Sequence, residues 1–145
     1  MGTLRVLVVD DYGPFRRFIS SLIENRRDVQ VIGEVSDGLE AVEKAEELQP
    51  DLILLDIGLP TLDGIQVARR IRILSPRSRI LFVSQESSAE VVQEAFDSGA
   101  MGYVVKTDAG GELLAAVDAT LRGQKCVSSG VEVTVRYTPE PTVLT

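Results

Sequence analysis

The sequence predicts a three-layer α/β fold: a doubly wound parallel sheet of five strands with helices on both faces. Three observations carry this. Five short runs, Leu4 to Val9, Val29 to Val35, Leu52 to Leu55, Ile80 to Val83 and Tyr103 to Val105, are too short for helices, and Leu52 to Leu55 lacks period-2 alternation, as a strand covered on both faces should. Each is followed by a segment with apolar residues at helical spacing, and strands alternating with helices imply a parallel sheet with right-handed crossovers. Four runs then end in polar residues, Asp10-Asp11, Asp56, Ser84 and Lys106. Such sheets bind ligands in the crevice outside the carboxyl ends of their strands, so these side chains are expected at one site.

Taken in order, Leu4 to Val9 is rich in β-branched residues and reads as a buried strand, and Pro14 then opens a helix whose Phe15, Phe18, Ile19, Leu22 and Ile23 share one face. After Val29 to Val35, Asp37-Gly38 turns the chain into a helix with Leu39, Val42, Ala45 and Leu48 inward, stopped before Pro50. Leu52 to Leu55 delivers Asp56. Gly58, Pro60 and Gly64 mark a loop, and Ile65 to Leu74 is a helix with Arg69, Arg70 and Arg72 on a solvated face. Ile80 to Val83 leads to Ser84. Ala89 to Ser98 is a helix presenting Val91, Val92, Ala95 and Phe96, ended by Gly99. Following Tyr103 to Val105, Asp108 is placed to cap a last helix with Leu113, Leu114, Val117 and Leu121 inward, up to Gly123.

Composition narrows the function. At 145 residues, with 44% hydrophobic and 26% charged residues, the chain has the make-up of one globular domain. There is no histidine, which excludes a His-based triad, a His metal ligand or a phosphohistidine within the chain. A net charge of −7 argues against direct nucleic-acid binding. The lone Cys126 cannot form an internal bridge and reads as a small semi-buried residue. With no signal peptide or membrane span in the sequence, a cytoplasmic setting is expected and no membrane partner.

The chemistry follows from Asp56. An ionised carboxylate at the tip of a buried strand is costly unless paired or metal-bound, so cations are expected around it. Asp10 and Asp11 can hold Mg²⁺, which takes hard oxygen ligands and usually keeps several waters. As a nucleophile toward a phosphoryl group Asp56 is weak, since both are negative, and the site must supply positive charge.

The ordered set resembles the receiver domain of bacterial two-component response regulators over roughly residues 4 to 123. Its pieces are Asp10-Asp11, Asp56 followed by Pro60 and Asp63-Gly64, Ser84, and Gly99-Ala100 with Gly102-Tyr103-Val-Val-Lys106. The ending through Thr107 looks like the subgroup whose full-length members usually carry a C-terminal helix-turn-helix. The resemblance implies a flavodoxin-like sheet of order 2-1-3-4-5 and phosphorylation of Asp56 by a sensor histidine kinase or phosphotransfer protein. It further implies Mg²⁺ held by Asp11, Asp56 and the carbonyl of Gly58, with Asp10 acting through water. Lys106 and Ser84 would bind the phosphoryl oxygens, and Ser84 with Tyr103 would form the switch. Such a domain is not an enzyme in the usual sense, although it can catalyse its own phosphorylation and dephosphorylation.

Plainer roles stand beside these. Asp10 could cap the first helix, Lys106 could form a surface salt bridge worth about 0–1 kcal/mol, Ser84 could close its strand, and Tyr103 could be a half-buried core residue. The sequence also departs from the family, with Gln85 where a small residue is usual and with Gly58 and Glu86 at positions that tune phosphate lifetime. A haloacid-dehalogenase-type phosphatase needs a second Asp two residues after the nucleophile, where Gly58 and Tyr12 stand instead. A flavin module needs a hydroxyl- and glycine-rich phosphate loop, which Asp10-Asp11-Tyr12 does not offer. A phosphorylation-independent, receiver-like scaffold is the remaining alternative.

The expected receiver domain occupies residues 1–125, leaving 126–145 as a C-terminal extension without an output domain. The chain is then either a stand-alone regulator or a fragment. Val131, Val133, Val135 and Tyr137 alternate with polar residues, a strand signature that needs a pairing edge. Ser128-Ser129-Gly130 gives it reach toward its own sheet or the same segment of a second copy, which would make a homodimer. The alternatives are a disordered tail or the cut start of a missing module.

Overall fold

Strands that read as uninterrupted apolar runs must be covered on both faces, and here they are. The computed structural model describes residues 2–131 and 142–144. Its elements are β1 (Leu4–Val9), α1 (Gly13–Ile23), β2 (Val29–Val35), α2 (Gly38–Leu48), β3 (Leu52–Leu55), α3 (Gly64–Leu74), β4 (Arg79–Ser84), α4 (Ala89–Asp97), β5 (Gly102–Val105), a single 3-10 turn over Lys106–Asp108, α5 (Ala109–Leu121), β6 (Cys126–Ser128) and β7 (Thr142–Leu144). All the strand pairings are parallel, in the order β2-β1-β3-β4-β5-β6-β7. The expected order 2-1-3-4-5 is present, continued by two strands.

Successive strand residues point to opposite faces, so each strand feeds two cores. Leu7, Val9, Ile53, Leu55 and Phe82 pack against Val42 and Ala45 of α2, Val67 and Ile71 of α3 and Val92 and Phe96 of α4. Val6, Val8, Leu52, Leu54 and Leu81 pack on the other face against Ile19 and Ile23 of α1 and Leu113 and Val117 of α5. Caps fix where the helices begin: the carboxylates of Asp37 and Asp63 accept backbone N–H groups in the first turns of α2 and α3, and Ser88 does so for α4. Gly99, at φ +109°, ends α4 as expected. No described helix is long and apolar enough to cross a membrane.

Four expectations are corrected. Phe18 is 45% exposed rather than inward, lying on the flank of α1 beside Gly110 of α5. Leu39 is likewise exposed, because the first turn of α2 seats Gly38 against the Leu62 carbonyl and turns Leu39 outward. Asp108 does not cap α5 with its side chain, which is engaged by Ser128 and Gly130 instead. The sheet does not stop at five strands: β6 pairs with β5 as Gly102↔Cys126 and Tyr103↔Val127, so Ser128, the first residue of the Ser128-Ser129-Gly130 reach, is instead the buried last residue of a strand. Its position also puts the expected boundary at residue 125 immediately before a strand of the same sheet. The alternating segment over residues 131 to 138 lies, beyond Val131, outside the described residues.

Candidate functional site

The carboxyl ends of β1, β3, β4 and β5 bring Asp10, Asp56, Ser84 and Lys106 to one rim. Asp10 is 1% exposed and Asp56 6%. Asp10 is held from both sides, its Oδ1 accepting the Tyr12 N–H at 2.9 Å and its carbonyl accepting Arg16 Nη1 at 2.8 Å. Asp10 therefore orders the turn before α1 rather than capping the helix, whose N-cap position is Tyr12. Asp56 Oδ1 accepts the N–H of Ile57 at 2.8 Å. Lys106 Nζ joins the two strands, 2.8 Å from Asp10 Oδ2 and 3.1 Å from Asp56 Oδ2. Its side chain is largely buried, so this is no surface ion pair.

The β3–α3 loop is built to present Asp56. Gly64 donates its N–H to the Ile57 carbonyl at 2.7 Å, and a Cβ on Gly64 would stand 2.0 Å from the Asp56 carbonyl oxygen. Only glycine permits that approach, which is the physical content of the Asp63-Gly64 pair: Asp63 caps the helix and Gly64 admits the strand end.

Burial pushes the Asp56 carboxyl above the ordinary aspartate range, Lys106 pulls it down without cancelling the effect, and Asp10 adds to the rise. Like-charge repulsion is thus secondary to desolvation. For Lys106 burial works against the charge, yet the carboxylates of Asp10 and Asp56 hold the ammonium above the ordinary lysine range. Asp10, Asp11 and Asp56 each offer an oxygen, all within 4.8 Å of one another. All three are the hard carboxylate oxygens that Mg²⁺ takes, but opposite ligands of its octahedron stand about 4.2 Å apart, so a spread of up to 4.8 Å would have to close slightly around the ion.

Beside the trio opens a polar cleft of about 280 Å³ lined by Asp11, Asp56, Gly58, Ser84, Gln85 and Glu86. The cleft holds most of the expected residues. Lys106 stands behind the carboxylates, with the ring of Phe15 4.7 Å from its Nζ. Sequence reading assigned Phe15 to the core, and helical spacing carries no signal for such a contact. Ser84 closes β4, its Oγ accepting the Glu86 N–H at 3.3 Å. Tyr103 is fully buried rather than half-buried, its hydroxyl donating to the Glu86 carbonyl at 2.8 Å and its ring against Phe82. Burial raises that phenol to about 12.

Known proteins of similar sequence and fold identify the family. The family model for the response regulator receiver domain matches residues 6–118. The response regulator protein VraR of Staphylococcus aureus is 35% identical over 134 residues, 92% of this chain and 64% of that protein, so the chain spans somewhat under two thirds of that relative. Among solved structures, a LuxR-family two-component response regulator from Aurantimonas sp. SI85-9A1 superposes with TM-score 0.81 at 35% identity, covering 86% of this chain and 89% of that one. The response regulator domain of Thermotoga maritima CheB gives TM-score 0.77 at 34% identity, covering 83% and 97%. The chain belongs to the family of two-component response regulator receiver domains.

Proposed function

We propose that this receiver domain takes a phosphoryl group onto Asp56 from the phosphohistidine of a sensor kinase or phosphotransfer protein. A carboxylate oxygen of Asp56 attacks phosphorus, the donor's P–N bond breaks, and its electron pair stays on the imidazole nitrogen, which takes up a proton. The observation that carries the reading is Lys106 Nζ, 3.1 Å from Asp56 Oδ2 at the edge of an acidic trio and an open cleft. Mg²⁺, held by Asp11, Asp56 and the Gly58 carbonyl with Asp10 acting through water, would offset the charge of the incoming oxygens. Lys106 supplies a point charge to one phosphoryl oxygen and Ser84 a hydroxyl donor to another. The same groups would let the domain catalyse its own phosphorylation and the later hydrolysis, with Gln85, Glu86 and Gly58 at the rim setting the rate at which water enters.

The signal would leave through Ser84 and Tyr103. A shift of Ser84 toward phosphate pulls on the β4–α4 loop, and the Tyr103 hydroxyl, bonded to the Glu86 carbonyl, locks the loop's new position. Dimerisation of the phosphorylated form is proposed on the exposed flank of α1 and α5, where Phe18 lies against Gly110. Cytoplasmic residence follows from the same reading, since the phosphodonor is made there.

Incubation with Mg²⁺ and acetyl phosphate should add one phosphoryl group by intact mass, labile to hydroxylamine and absent from Asp56→Asn. Equal labelling of that variant would remove Asp56 as acceptor.

A further inference from the structure

We propose that Phe15 is a positioning residue for phosphoryl transfer, its ring backing the Lys106 ammonium and holding it toward the acceptor carboxylate. The inference rests on the phosphoacceptor reading above.

Lysine is a compact charge on a flexible four-carbon stem, and its ammonium has three rotatable donors. Something must therefore fix where Nζ points. On one side Asp10 Oδ2 and Asp56 Oδ2 lie at 2.8 and 3.1 Å, and on another the Phe15 ring centroid lies 4.7 Å away. That is inside the distance of about 6 Å at which the face of an aromatic ring attracts a cation. Phe15 is itself braced, its ring 5.8 Å from that of Phe18, within the usual aromatic-pair range of about 4.5–7 Å. Its place is tied to the acidic residues, because the turn that carries Asp10 and Asp11 runs straight into the first turn of α1 and is held there by Arg16.

The ring matters most when the chemistry begins. Once phosphorus bonds to Asp56, that carboxylate loses its full charge. One anchor of the ammonium then weakens while the ammonium must follow a phosphoryl oxygen. The ring is unchanged by the reaction, excludes water from one side of Nζ and limits how far it can retreat.

Phe15→Leu keeps an apolar side chain at this half-buried position but removes the ring, and Phe15→Tyr keeps the ring. The initial rate of Asp56 labelling by acetyl phosphate should fall about 3- to 10-fold in Phe15→Leu and return to within about twofold of the parent in Phe15→Tyr. Mg²⁺ affinity, read from the metal-dependent rise in melting temperature, should stay within about twofold in both. A parent rate in Phe15→Leu, equal slowing in Phe15→Tyr, or a parallel loss of Mg²⁺ affinity would each overturn the proposal. Parent protein that gains no phosphoryl group on Asp56 would instead remove the reading beneath it, and the proposal with it.

Discussion

Asp56 sits in a folded state that does not favour its charge. Burial holds its carboxyl above the ordinary range despite Lys106. A group whose folded value is raised contributes stability below its unfolded value and loses that contribution as pH rises through the folded value. At neutral pH, without Mg²⁺, the ionised Asp56 is therefore a net cost, and Asp56→Asn should melt a few degrees higher than the parent. The difference should shrink as pH falls toward the ordinary carboxylate range. Millimolar Mg²⁺ should raise the parent's melting temperature and leave Asp56→Asn nearly unmoved, which differential scanning fluorimetry across pH and metal concentration checks. The charged and hydroxyl members of this site were legible because each interrupts an apolar run at its carboxyl end. Phe15 was not, since i, i+3, i+4 spacing says that a residue faces inward but not whether it meets the sheet or the lip of a cleft.

Among the elements, β6 reaches furthest from its own place in the chain, tying the end of β5 to the turn before α5. Ser128 is buried, its Oγ accepting the Val105 N–H at 2.9 Å and donating to Asp108 Oδ2 at 2.7 Å, while Asp108 also accepts the Gly130 N–H. Ser129 adds two bonds to Glu112 of α5. The backbone immediately before Lys106 is thus held by a residue from beyond the last helix. Ser128→Ala leaves the Val105 N–H and the Asp108 carboxylate short of a partner, at a cost of about 1–3 kcal/mol. Urea denaturation should show that loss, and amide exchange should quicken at Val105. A fall well below that range would mean that water or a neighbour replaces the hydroxyl. Three residues, Cys126 to Ser128, are too few to show a strand period, and the Ser-Ser-Gly sequence reads locally as loop, so only the pairing partner makes this strand intelligible. The longer helices and the four-residue β3 needed no such partner to be recognised. Phe18 and Leu39 were misassigned because an amphipathic stripe of about 100° is wider than the surface the sheet actually covers.

For the molecule as a whole, topology does what no local pattern can. The parallel order puts the carboxyl ends of β1, β3, β4 and β5 on one rim, so residues as distant in sequence as Asp10 and Lys106 come within 2.8 Å. Two cores of different helices lock that rim, and the charge at its centre is offset by the Lys106 ammonium. The proposed chemistry makes Asp56, at the centre of this rim, the acceptor. Acyl phosphates are reduced by borohydride, which converts the aspartate that carried phosphate into homoserine. After phosphorylation with acetyl phosphate and Mg²⁺, reduction and peptide mass mapping should place a single homoserine at position 56. Homoserine at position 10 or 11, or none in protein that has gained a phosphoryl group, would contradict it.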